Sequence, residues 1–183
     1  RIESLIMFAN HPDGNVRAAI IELIYTIVTR QSQEMVNFYQ KSNYWVHLGN
    51  QLSISSANHR IIQTCINWIF MHEKEINFDE IIKLQKDEIK FKAAFRILIA
   101  LIPSTSNDSK LMRSLLKFLR LLMEANVDYF ITMVEYGLVT ACLRTLMKVD
   151  DDDMIESLHV ILEQIAIKSF TTSNAINGLW ELL

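Results

Sequence analysis

The sequence predicts an all-α chain folded as an α-solenoid, and three observations carry that reading. A polar loop followed by an apolar-periodic segment of about four helical turns occurs four times, at intervals of about 43, 52 and 43 residues. That is the spacing of helical units too thin to bury an apolar face alone, so that each must stack on its neighbours. Gly is 4 and Pro is 2 among 183 residues, far below the average shares of about 7% and 5%, so few positions interrupt helices. Half of the residues are apolar, yet the longest apolar stretch, residues 93–103, is broken by Arg96 and ends well short of the roughly 18 residues that a bilayer-crossing helix needs.

Placing Val16, His59, Leu111 and Met154 at one register position aligns VRAAIIELIYTIV, HRIIQTCINWIFM, LMRSLLKFLRLLM and MIESLHVILEQIA. The eighth position is then Leu23, Ile66, Phe118 and Ile161, and the twelfth is Ile27, Phe70, Leu122 and Ile165. Residues four apart share a helix face, so these positions are expected to form the inner seam.

The elements follow in order. Residues 11–15 form a polar turn, with Asn15 as the expected cap and Val16 and Arg17 opening the first long helix. Ser32, Gln33 and Glu34 begin a short helix bearing Met35, Val36, Phe38 and Tyr39. Residues 44–52 form a third helix before the Ser-rich turn at 53–56, and Asn58 caps the second long helix. Residues 78–84 are a short helix, 87–102 a long one and 103–108 a break, after which Asp108 or Ser109 starts a helix. Residues 127–136, 138–149 and 152–168 complete the series. Gly14, Gly49, Gly137 and Gly178 suit turns or close packing.

Charge and motif content point away from chemistry. A net charge of −3 opposes a nucleic-acid groove, which carries a basic stripe. Arg113, Lys117 and Arg120 share one helix face, with Lys90 and Arg96 on the preceding helix. They read first as a solvated outer face, and second as a site for an acidic partner. The run from Asp150 to Asp153 precedes a helix, where Asp152 or Asp153 caps free amides and the others favour the positive end of the dipole. It lacks the alternating oxygen ligands, Gly turn and terminal Glu of a calcium loop.

Cys65 and Cys142 lie in apolar helical settings and read as buried free thiols of a reducing compartment, from which a cytoplasmic location follows. Asn107, Asp108 and Ser109 spell a glycosylation acceptor that stays unmodified there. None of His11, His47, His59, His72 and His159 is paired at metal-ligand spacing, and His72 with Glu73 lacks a second His. No Gly-rich nucleophile elbow or phosphate loop occurs. No catalytic, cofactor-binding or metal-binding residue is therefore assigned, no cofactor is expected, and the chain is read as a non-enzyme.

The short, medium and long helices of each unit resemble an armadillo repeat. The resemblance is most specific at residues 136–148, where YGLVTACLRTLMK is similar to the small-residue turn and spaced leucines of that family. HPDGNVRAA at 11–19 is similar to the loop and helix start common to armadillo and HEAT repeats. The resemblance implies a right-handed α-solenoid of armadillo/HEAT-like stacked helical repeats, a single domain over residues 1–183. Combined with NFYQKSNYWVHLGNQLS at 37–53, the first segment more narrowly resembles the armadillo-like region of large BEACH-domain proteins of the lysosomal-trafficking-regulator type. The stretch Leu48, Gly49, Asn50, Gln51 and Leu52 carries part of that likeness, which covers about the first third of the chain. It implies a long cytosolic scaffold in vesicle traffic, peripheral on endosome or lysosome membranes.

The chain opens at Arg1 without an initiator Met and closes on Trp180, Glu181, Leu182 and Leu183 in helical patterning, and is read as a piece of a longer protein. Ile2, Leu5 and Ile6 at one end and Trp180 at the other are expected to form apolar patches that neighbouring units cover. The function expected is a protein-binding scaffold of vesicle and lysosome trafficking, with a generic armadillo-like partner-binding or regulatory subunit as the alternative. Nuclear-import-like peptide binding needs an exposed Asn and Trp ladder. Asn67 and Trp68 supply one rung, but Ile24, Leu119 and Leu162, and Tyr25, Arg120 and Glu163, replace them elsewhere.

Overall fold

A computed structural model describes residues 2–71 and 89–171. The expected helix at 78–84, the start of the one at 87–102, and His72, Glu73, Gly178 and Trp180 lie outside the described residues. Among the described residues every regular element is helical. The α-helices are α1 Ile2–Met7, α2 Gly14–Thr29, α3 Gln33–Lys41, α4 Tyr44–Leu52, α5 His59–Phe70, α6 Ala94–Leu101, α7 Ser109–Ala125, α8 Val127–Glu135, α9 Leu138–Leu146 and α10 Asp152–Thr171, with one 3-10 turn at Ile102–Thr105 between α6 and α7.

Short polar side chains set the helix starts by accepting from amides that a helix leaves without partners, each cap stabilising by about 1 kcal/mol. Asn58 accepts from the Ile61 amide at 2.9 Å, and Asp108 from that of Leu111 at 2.9 Å. Asn126 ends α7 and caps α8, accepting from Asp128 at 2.7 Å. Two expected caps move by one or two residues. Asp13, rather than Asn15, caps α2, and accepts from the Asn15 amide at 2.7 Å. At α10 the acceptor is Asp151, 2.9 Å from the Met154 amide, which leaves Asp152 and Asp153 in the first turn. A helix also begins later than expected at Ala94, because Lys90 and Phe91 instead donate their amides to the carbonyl of Ile69 at 3.0 Å each. Lys90 is thus not on a helix.

The helices contact one another at intervals of about one unit. α1 packs on α4, α4 on α6 and α6 on α9, while α2 packs on α5 and α7 on α10. Phe70 of α5 meets Phe118 of α7 edge to face, with centroids 6.4 Å apart. The buried side chains form a continuous cluster from Ile2 to Ile165. α5 is covered on nearly all sides, and two of its buried polar side chains bond within the helix, Gln63 to Asn67 and Thr64 to the Arg60 carbonyl. Trp45, Trp68 and Phe91 pack together, with Trp68 and Phe91 stacked at 5.5 Å and Trp45 edge-on to both.

Six of the eight expected seam residues hold. Ile66, Phe70, Phe118, Leu122, Ile161 and Ile165 are buried. α2 is rotated by one position: Leu23 is 48% exposed and Ile27 half-buried, while Ile24 and Val28 are fully buried. Arg17 lies on that inward face, so that Arg17, Ile21, Ile24 and Val28 face the core. At the start of the chain Ile2 and Ile6 are buried and Leu5 half-buried, so the exposed apolar side chains there are Met7 and Phe8.

Candidate partner-binding surface

Buried Arg17 binds three backbone carbonyls. One terminal nitrogen donates to Leu52 at 3.0 Å and Ser55 at 3.1 Å, and the other to Ser56 at 2.6 Å. Burial pushes the guanidinium pKa down and the neighbouring Asp13 carboxylate opposes that shift, so its charge is met by carbonyl dipoles rather than by a close ion pair. This contact joins the start of α2 to the turn that precedes α5. The polar links continue along that edge: Asn107 donates to the Ser56 hydroxyl at 2.8 Å, and Ser109 to Asp151 at 3.5 Å.

The long helices are linked the same way. Arg60 binds Glu22 through two contacts of 2.6 Å, Arg113 binds Asp153 at 3.1 Å, and Gln164 donates to Glu124 at 3.0 Å. These pairs are separated by 38 to 40 residues, about one unit. The basic face at Arg113, Lys117 and Arg120 therefore lies in a shallow groove between α7 and α10, of about 250 Å³, whose lining includes Glu156. Arg113 is paired with Asp153, and Arg120 approaches Glu124 at 3.9 Å. Its positive charge is thus largely met by its own surroundings.

A larger groove of about 500 Å³ lies between α4, α6 and α9. Arg96, Arg144 and Lys148 line it with Asn50, Tyr136 and Thr140, over an apolar base that includes Ile99 and Ala141. No carboxylate lines it, and none of the three cations has an ion-pair partner among the described residues. Arg96 lies over the Tyr136 ring, 3.9 Å from its centroid, a cation–π contact that fixes the guanidinium and leaves its edge donors available. Small residues open the space. Gly49 lets α4 approach α6, since a Cβ there would stand 2.9 Å from the Cβ of Ala100, and Gly137 turns the chain into α9 at φ 88°. By sequence Arg96 groups with the α7 cations; the fold separates them, because Arg96 lies against Tyr136 beside α9. Arg144 and Lys148 sit one turn apart within the YGLVTACLRTLMK segment, and that spacing was the available signal for them.

Other candidate positions do not converge. Trp68 is fully buried, which removes the one rung of an Asn and Trp ladder. His11 accepts from the Asp13 amide at 3.1 Å, and His47, His59 and His159 are exposed at separate places. Among the described residues no group of three or more His, Cys, Asp or Glu is gathered as a metal would require. Cys65 and Cys142 are buried free thiols, and burial raises both, Cys142 to about 12. No described helix is long and apolar enough to cross a membrane.

Comparison with known proteins gives a distant relation. The chain is 24% identical over 189 aligned positions to the lysosomal-trafficking regulator of Drosophila melanogaster, a match that covers 100% of this chain and 5% of that protein. The chain thus spans about one twentieth of the length of the curated relative it matches. No family model matches the sequence. No solved structure matches it.

Proposed function

We propose that this chain is a non-catalytic protein-interaction module within a large BEACH-type regulator of vesicle and lysosome trafficking. The observation that carries this reading is the likeness to the lysosomal-trafficking regulator along the whole chain. It extends beyond the first-third segment whose residues resemble that family's armadillo-like region. In this reading residues 1–183 form one right-handed α-solenoid. Support comes from contacts between residues about 40 apart in two pairs of long helices: Glu22 with Arg60, and Arg113 with Asp153 and Glu124 with Gln164. Such a body works by holding partners on its surface, on the cytoplasmic side of endosome or lysosome membranes and at most peripherally attached to them.

Disruption of the gene that encodes this chain tests the reading, with lysosome diameter as the readout. A changed diameter, restored by the wild-type gene, supports it. Unchanged lysosomes would discard the trafficking role and leave a partner-binding or regulatory subunit of another process.

A further inference from the structure

We propose that the groove between α4, α6 and α9 is a docking site for an extended acidic peptide segment of a partner protein, a reading that rests on the chain being an interaction module. The chain carries a net charge of −3, yet Arg96, Arg144 and Lys148 meet in one groove with no carboxylate among the described residues of its lining. Gathering three cations without a counter-charge costs electrostatic energy that a bound anion relieves. The contrast with the α7–α10 groove is informative, because there Arg113 and Arg120 stand beside Asp153 and Glu124.

Shape selects the class of partner. The cations stand over a base of Ile99, Ala100 and Ala141, with Asn50 and Thr140 as further polar groups on the walls. An extended peptide turns successive side chains to opposite sides, so acidic residues reach the cations while their neighbours reach the apolar base. A flat anionic bilayer presents charge without entering a groove, and a chain of net negative charge gains little from approaching one. Arg96 is already oriented by Tyr136, so its planar fork loses little freedom when it takes a carboxylate.

The test uses the 183-residue chain and a fluorescein-labelled peptide that alternates Glu with Leu, followed by fluorescence anisotropy at low salt. Binding is expected to weaken with added salt, to vanish when the peptide carries Gln for Glu, and to weaken by about tenfold or more in an R144E/K148E chain. Arg144 and Lys148 are exposed, so this variant folds, and circular dichroism verifies it. An R113E/K117E chain is expected to bind as the wild type does. Equal affinity of the wild-type and R144E/K148E chains, or no binding of the Glu peptide, overturns the proposal. Sedimentation with phosphatidylserine vesicles that depends on Arg144 and Lys148, without peptide binding, overturns it in favour of a membrane contact. These failures are distinct from failure of the trafficking reading, which lysosome diameter decides independently.

Discussion

The buried guanidinium of Arg17 donates to the carbonyl of Ser56 at 2.6 Å and so ties the start of one long helix to the turn before the next. Leu52 and Ser55 supply the other two carbonyls. The segment HPDGNVR thereby acquires a physical account: Asp13 caps the helix, and Arg17 holds the inward face of α2 against the turn that precedes α5.

Removing that side chain leaves three carbonyls without their charged donor. Arg17→Ala is expected to destabilise the chain by about 3 kcal/mol. For a chain of this size that lowers Tm by roughly 6–12 °C, measured by circular dichroism. Arg60→Ala, which breaks an exposed, solvent-screened pair with Glu22, is expected to leave Tm nearly unchanged.

Neighbouring residues on α2 report its rotation. Ile24→Asp places a carboxylate at a fully buried site and is expected to cost more than about 4 kcal/mol. Leu23→Asp falls on the exposed side and is expected to stay within about 0.5 kcal/mol of wild type. Denaturant titration of the two variants checks both values, and a damaging Leu23→Asp contradicts the orientation of α2.

The sequence carried much of this architecture and missed particular parts for identifiable reasons. Apolar positions four apart located Ile66 with Phe70, Phe118 with Leu122, and Ile161 with Ile165, since α7 and α10 bury apolar stripes that include them and α5 is covered on nearly all sides. α2 defeated the same pattern because Ile20, Ile21, Leu23, Ile24, Ile27 and Val28 offer two adjacent apolar stripes. Tertiary contacts choose between them, among them those of Arg17 with the turn before α5 and the packing of α2 on α5. Caps shifted at Asp13 and Asp151 because each sits among other good capping residues. Arg96 belongs with Arg144 and Lys148 through packing of α6 beside α9, a relation between residues about 50 apart that no local spacing encodes.

Gly49 sets the approach of α4 to α6. Gly49→Ala is expected to destabilise by about 1–2 kcal/mol through crowding against Ala100, despite the better helix propensity of Ala. Ala100→Gly in the same chain relieves the contact. A double-mutant cycle by thermal melting is expected to show the pair as non-additive.

The two thiols give a pH prediction. Burial raises both in the folded chain, Cys142 to about 12, whereas an unfolded thiol titrates near about 8.5. The folded pKa lies above the unfolded one, so this contribution to stability is fully present below about 8.5 and declines as pH rises toward about 12. Native protein at pH 8 is expected to react slowly with a disulfide-exchange reagent, and denatured protein to release both thiols at once. Rapid native labelling contradicts burial of Cys65 and Cys142.

The most direct measurement of the central claim is lysosome diameter in cells where residues 14–171 are removed in frame from the natural protein, beside cells carrying the folding-neutral Leu23→Asp. The account predicts that removal changes the diameter as gene disruption does, while Leu23→Asp leaves it at the wild-type value. Lysosomes of normal size after removal would contradict it.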